Sequence, residues 1–260
     1  MTMIRVLAGA ILALSISGVS RADEPSTTED TAATSAGATN VVLVHGATTQ
    51  GWGWKEVHDI LRSKGLKVTV VELPHTSAED DIAAAKLAVA NQSGPTVLVG
   101  HSYGGAVITE AGVAPNVKSL VYVAALQPDK GESIAEISSN YPMDIDIKML
   151  DDERYVPNSA SYHEVIGADL PRDVTEFMSA SSKPMKVDTF EVRFQNAAWH
   201  DKPSFGIVPT DDKVLSPDFL RWMYERSGTK VTEVQASHMV YMSQPQVTAD
   251  VILEAVSSVK

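Results

Sequence analysis

The chain has 260 residues, 21 basic against 33 acidic, a net charge of −12 and no cysteine. That acidic balance repels phosphate backbones and anionic membranes, which argues against nucleic acid or a membrane surface as partner. Without cysteine there is no disulfide framework and no thiol for a lipid anchor.

Residues 1–22 read as a signal peptide. Arg5 supplies the positive start, and residues 6–16 form an apolar run too short to span a bilayer comfortably. Ser20-Arg21-Ala22 puts small residues where a cleavage site needs them, so cleavage is expected after Ala22. The product would be periplasmic or secreted, with no stable membrane anchor. Removing Arg5 and Arg21 from the 21 basic residues leaves 19 against 33 acidic, a net charge of −14. Residues 23–39 are rich in Thr, Ser and Ala, without an aromatic or large aliphatic residue, and read as a flexible linker. Residues 40–260 remain as one domain, large enough to bury about 70–75% of its extended-chain surface.

Asn40-Val41-Val42-Leu43-Val44 reads as the first core strand. It runs into His45-Gly46-Ala47 and a glycine-rich stretch carrying Trp52 and Trp54. A turn at the end of a parallel strand is where open α/β sheets bind ligands. The His-Gly pair suggests an oxyanion loop, with the Ala47 N–H as a donor and His45 structural. Trp52 is a candidate substrate-binding residue, although a tryptophan here also suits packing a helix on the sheet. A helix is predicted over residues 54–64, closed by Gly65, and a strand over 66–73. His75 falls in a loop and is expected to be exposed. Ser77-Ala78-Glu79-Asp80 resembles a capping box opening a helix to about Asn91.

Thr96-Val97-Leu98-Val99 is a second buried strand, followed by Gly100-His101-Ser102-Tyr103-Gly104-Gly105 and a helix. Strand, Gly-x-Ser-x-Gly, helix is the context of a nucleophile elbow. Glycines two positions either side let the chain close tightly around the serine, which sits at a helix N-terminus that favours developing negative charge. The Tyr103 N–H is then a second oxyanion donor. Residues 118–124 form another buried strand, so strands and helices alternate into a parallel sheet with helices on both faces. Residues 127–196 break that rhythm with five X-Pro turns, many Met and Ser, and short helical patches. They read as an inserted cap that shapes the pocket over the serine. Met143, Met149, Tyr155, Tyr162, Phe177, Met178 and Met185 suggest an apolar pocket wall, although methionine at such spacing also fills ordinary core. His163-Glu164 has no second histidine four residues on, so the zincin pattern fails, and no metal or other cofactor is implied.

Residues 204–208 resume the core as a strand leading to Pro209-Thr210-Asp211-Asp212. Ser216-Pro217-Asp218 caps a helix to about Arg226, residues 230–234 are the last strand, and His238-Met239 follows in a loop before a helix over 245–256. Ser102, then Asp211 or Asp212, then His238 each stand just past the end of a core strand, so one sheet edge gathers them. Ser Oγ needs a histidine to take its proton, and the histidine needs a carboxylate to fix its tautomer.

With these motifs in place the chain resembles the α/β-hydrolase superfamily, in the branch of plant methylesterases, hydroxynitrile lyases and their bacterial esterase-like relatives. The resemblance covers nearly all of residues 40–260. It is carried by Val-Leu-Val-His-Gly-Ala with Gly-Trp-Gly-Trp, by Gly-His-Ser-Tyr-Gly-Gly-Ala-Val-Ile, by Val-Tyr-Val-Ala-Ala, by Asp-Asp-Lys-Val-Leu-Ser-Pro-Asp-Phe and by Ser-His-Met-Val-Tyr-Met-Ser-Gln-Pro. The implied fold is an α/β-hydrolase fold, a mostly parallel sheet of about six strands with an inserted cap. In such sequences the catalytic acid stands five residues before the proline that opens the next helix, which selects Asp212. Lyases of this branch carry a lysine after the catalytic histidine and a threonine after the oxyanion-loop histidine. This chain has Met239 and Gly46, which makes Met239 a candidate substrate-binding residue and points to ester hydrolysis. The expected activity is a serine esterase acting on a small-molecule ester through an acyl-enzyme. A lactonase, amidase or C–C lyase using the same triad, and a non-catalytic binding module on the same scaffold, are the alternatives. Oligomeric state is left open.

Overall fold

The structure, a computed structural model, describes residues 38–143 and 145–259. The signal peptide and nearly all of the linker expected from the sequence lie outside the described residues. In chain order the body begins with β1 (Asn40–Val44), α1 (Lys55–Ser63), β2 (Lys67–Val71), α2 (Ala78–Ala90), β3 (Thr96–His101), α3 (Tyr103–Ala111) and β4 (Val117–Val123). An insertion follows, with α4 (Ile134–Ile137), β5 (Ile147–Met149), β6 (Arg154–Pro157), α5 (Tyr162–Ile166), α6 (Arg172–Ala180) and β7 (Met185–Lys186). The body resumes with β8 (Ser204–Pro209), α7 (Pro217–Ser227), β9 (Lys230–Val234), α8 (Val240–Ser243) and α9 (Pro245–Ser257).

The body is one six-stranded sheet in the order β2-β1-β3-β4-β8-β9, and every neighbouring pair is parallel. The inner strands β1, β3 and β8 are buried at every position, because a parallel sheet is covered on both faces. The outer strands β2 and β9 begin with Lys67 and Lys230 and are partly exposed, which blunts the unpaired edges. Helices α1 and α9 pack together, as do α2 and α3, flanking the sheet as two separate pairs. The C-terminal ends of β1, β3, β8 and β9 open onto the segments that carry Ala47, Ser102, Asp212 and His238.

The insertion differs from the expectation of helical patches alone, because β5, β6 and β7 form a small antiparallel sheet. These strands are two to four residues long, too short for a period to be read from sequence, and β5 is exposed throughout. Charged side chains of the body hold both ends of the insertion. Arg226 of α7 donates to the Gln127 carbonyl at 2.7 Å and to the Glu132 carboxylate. At the far end, Glu110 of α3 accepts the Gln195 and Asn196 N–H groups, each at 2.8 Å.

His75 corrects a second expectation, since it is buried at 2% exposure. Its backbone takes φ +60°, a turn that folds the ring inward, edge-on to His45. Asp81 of α2 accepts its N–H at 2.7 Å, its Nδ1 at 3.1 Å and the Tyr103 hydroxyl at 3.0 Å. The helix start at Ser77 is as read: its side chain accepts the Asp80 N–H at 3.1 Å. Asp80 itself takes the Thr76 hydroxyl.

Candidate active site

Ser102 is the turn between β3 and α3. It holds φ +52° and ψ −123°, a strained conformation for a residue with a Cβ. The turn closes because Gly100 has no side chain: a Cβ there would lie 2.6 Å from the Gly104 carbonyl carbon and 2.8 Å from the Gly105 nitrogen. The serine hydroxyl is thereby aimed at His238, with Oγ 2.9 Å from Nε2. On the far side of the ring, Nδ1 is 2.8 Å from Asp212 Oδ2. This fixes the tautomer: Nδ1–H donates to the carboxylate and Nε2 accepts from the serine. The other oxygen of Asp212 accepts the Val214 and Leu215 N–H groups at 2.8 and 3.0 Å, so the carboxylate is immobile. All three side chains are buried, whereas Asp211 is exposed and meets the site through no side-chain bond.

His101, next to the serine, is wholly buried. Burial, with the nearby His238 adding to it, pushes its pKa well below the ordinary histidine value, so the ring is neutral. Its Nε2–H donates to the His238 carbonyl at 3.0 Å. His45 is structural in the same sense: its Nε2 accepts the Leu73 N–H at 2.9 Å, leaving Nδ1–H for the Gly46 carbonyl.

A cavity opens over Ser102 and His238. Ala47 and Tyr103 both line it, as does Met239. Tyr103 is the first residue of α3, where a backbone N–H has no partner inside the helix. Leu126, Val214 and Leu215 of the body and Met143, Tyr155, Tyr162 and Phe190 of the insertion complete an apolar wall, and among the described residues no carboxylate or ammonium group lines it. Of the other insertion residues singled out from sequence, Met178 and Met185 are buried, while Met149 and Phe177 are exposed. Phe190 and Leu126 escaped the sequence reading. Leu126 was findable by counting three residues past β4, but Phe190 sits in a single 3-10 turn with no periodic signal.

Trp52, the candidate substrate contact, is not among the residues lining this cavity, but borders a cleft that shares Thr48, Thr49, Tyr162 and Met239 with it. The one-turn 3-10 helix Gly51–Trp54 points Trp54 into the core, fully buried, and Trp52 outward at 38% exposure. Trp52 packs against Phe177 at 5.3 Å.

Residues 41–251 match the model of the alpha/beta hydrolase family. The chain belongs to that family. The carbendazim hydrolyzing esterase of Nocardioides sp. (strain SG-4G) is 36% identical over 109 residues, a match spanning 36% of this chain and only 45% of that protein. The alpha-hydroxynitrile lyase of Arabidopsis thaliana is 26% identical over 244 residues, covering 79% of this chain and 92% of the relative. A crystal structure of polyneuridine aldehyde esterase shares the fold with a TM-score of 0.74 at 21% identity, over 84% of this chain and 98% of that one.

Proposed function

We propose that this hydrolase-family protein is a serine esterase, acting on small neutral carboxylic esters through an acyl-enzyme. The observation that carries the reading is the unbroken hydrogen-bonded run from Ser102 Oγ through His238 to Asp212 at the floor of an apolar cavity. Ser102 Oγ attacks the ester carbonyl while His238 Nε2 takes its proton. Charge gathers on the carbonyl oxygen, to which the Ala47 and Tyr103 N–H groups donate hydrogen bonds at the mouth of α3. Collapse expels the alcohol, which leaves with the proton from His238. Water, deprotonated by the same ring, then releases the acid. Asp212 holds the tautomer and stabilises the imidazolium formed twice in the cycle. A wall without charged groups among the described residues favours substrates that are uncharged on both sides of the ester, since a buried unpaired charge is costly.

Esterase-named relatives support the reaction class, and a lyase-named relative keeps carbon–carbon cleavage as the second reading. Two features weigh against that second reading. Met239 borders the cavity beside His238 with no cation for a departing anion. A Cβ at Gly46 would lie 2.9 Å from both His101 Nδ1 and Ser102 Cβ, so no side chain fits there to hold one. The test is a panel of p-nitrophenyl esters, small methyl esters, lactones and a cyanohydrin, with Ser102→Ala as blank. Ester turnover is expected to fall at least about 10⁴-fold in the variant. Ester turnover that persists in the variant, or cyanohydrin cleavage alone, would overturn the reading.

A further inference from the structure

The segment between α5 and α6 reaches back to the loop that carries His238. Asp169 accepts two hydrogen bonds there, both from Ser237: the backbone N–H to Oδ2 at 3.0 Å and the hydroxyl to Oδ1. Burial pushes the Asp169 carboxyl up, but the Ser237 donors, together with the Ser243 hydroxyl, outweigh it and hold the group below the ordinary carboxylate range. The clamp is therefore ionised near neutral pH, and charge-assisted bonds of this kind are roughly twice as strong as neutral ones. Ser237 is 2% exposed while Asp169 is exposed, so without Asp169 the Ser237 N–H loses its charged acceptor.

His238 is thereby held from two directions. His101 grips its carbonyl from the β3 side, and Asp169 grips the preceding residue from the insertion side. Asp169 does not touch the reacting atoms, whereas the His101 ring also packs 4.7 Å from the His238 ring. What they set is the position of the His238 backbone, hence the path of Nε2 between Ser102 Oγ and a leaving group. Other parts of the insertion meet the loops that carry Ala47 and Asp212. The Lys183 N–H donates to the Thr48 carbonyl at 2.8 Å, and Lys213 Nζ donates to the Glu164 carbonyl at 3.1 Å. The Gln50 side chain adds a bond to the Ser181 carbonyl, and Lys213 follows Asp212 in sequence, but every acceptor in these contacts is a neutral carbonyl. The Ser237 contact is the two-bond, charged one, and it is adjacent to the proposed general base.

We propose that Asp169 is a positioning residue for His238, acting through Ser237. The proposal rests on the serine-esterase reading. A loop freed on one side lets the imidazole wander, and misplacement by about 1 Å costs on the order of 100-fold in rate. Nothing in this role concerns substrate affinity, because Asp169 does not line the cavity.

The test compares wild type with Asp169→Ala, Ser237→Ala and the double variant, using p-nitrophenyl butyrate and the ¹H NMR resonance of the His238 Nδ1 proton. Asp169→Ala is expected to lower kcat about 10–100-fold with KM within about twofold, and to broaden or shift the downfield resonance. Ser237→Ala keeps the N–H bond and is expected to lose less, about 3–10-fold, while the double variant matches Asp169→Ala, since both act through one contact. Wild-type kcat and an unchanged resonance in Asp169→Ala would overturn the proposal. So would a change confined to KM, or a rate loss that vanishes on cooling below a lowered Tm. If Asp169→Ala fails to fold, Ser237→Ala carries the same prediction at its smaller size. If wild type turns over no ester, the esterase reading fails, but the resonance still decides whether Asp169 holds the ring.

Discussion

The body and the insertion place their functional groups by different means. In the body, backbone does the work: four parallel strands end on one edge, and Ala47, Ser102, Asp212 and His238 follow those ends within a few residues. In the insertion, side chains do it. Tyr155, Tyr162 and Phe190 reach the cavity from three unrelated short elements, and the segment is fastened to the body by polar side chains such as Arg226, Glu110 and Asp169. Ladder hydrogen bonds tolerate substitution of any one side chain, while a cavity wall of single residues does not. The body should therefore fail all at once and the insertion by degrees.

The largest expected effect is at the elbow. Gly100→Ala drives a Cβ into the Gly104 peptide, where only backbone can yield. We expect it to destabilise the fold by at least about 3 kcal/mol, more than ordinary overpacking because the obstacle is main chain. Chemical denaturation of the purified variant measures this, and a midpoint within error of wild type would mean the turn is looser than its geometry shows. Next comes Asp212→Asn, expected to cost about 10⁴-fold in kcat with the fold intact, because an amide presents the wrong partner to His238 Nδ1–H. Asp211→Asn is the internal control and should stay within about threefold. Reversed magnitudes would transfer the orienting role to Asp211. In the insertion, Phe190→Ala removes a ring packed near Tyr103 and Tyr155. It should shift preference toward longer acyl chains by about 10-fold while kcat on the shortest ester holds, since a pocket discriminates a few methylenes by that order. An unchanged acyl profile would remove Phe190 from the specificity wall.

The same contrast explains what could be read in the sequence. Strands β1, β3, β4 and β8 announce themselves as short apolar runs, and the loop positions follow by counting. Only the resemblance separated Asp212 from Asp211, because adjacent carboxylates are indistinguishable to pattern. In the structure one faces His238 and the other faces solvent. Residue type does not separate Trp52 from Trp54, but the one-turn 3-10 helix, at about 120° per residue, aims Trp54 into the core and Trp52 outward. Strands β5 to β7 are too short to carry a period. His75 was hidden for a different reason: its partner, Asp81, lies in the first turn of α2, where an acidic residue reads as an exposed helix start.

That buried histidine makes the body respond to acid near pH 6.5, before the lowered carboxylates of the insertion such as Asp169 are protonated. His75 and His101 both have pKa values held below the ordinary 6.5, chiefly by burial. An unfolded chain protonates these rings as the pH falls through about 6.5, while the folded chain resists until lower pH. Unfolding then takes up protons, so stability is full above about pH 6.5 and declines as the pH drops below it. His75→Asn keeps a residue that tolerates φ +60° and removes one titration, although it also gives up a bond to Asp81. Its Tm should start lower than wild type at pH 7.5 and fall less steeply toward pH 5. Parallel Tm curves for the two proteins would show that His75 is not a source of the acid dependence, and would leave His101 to carry it.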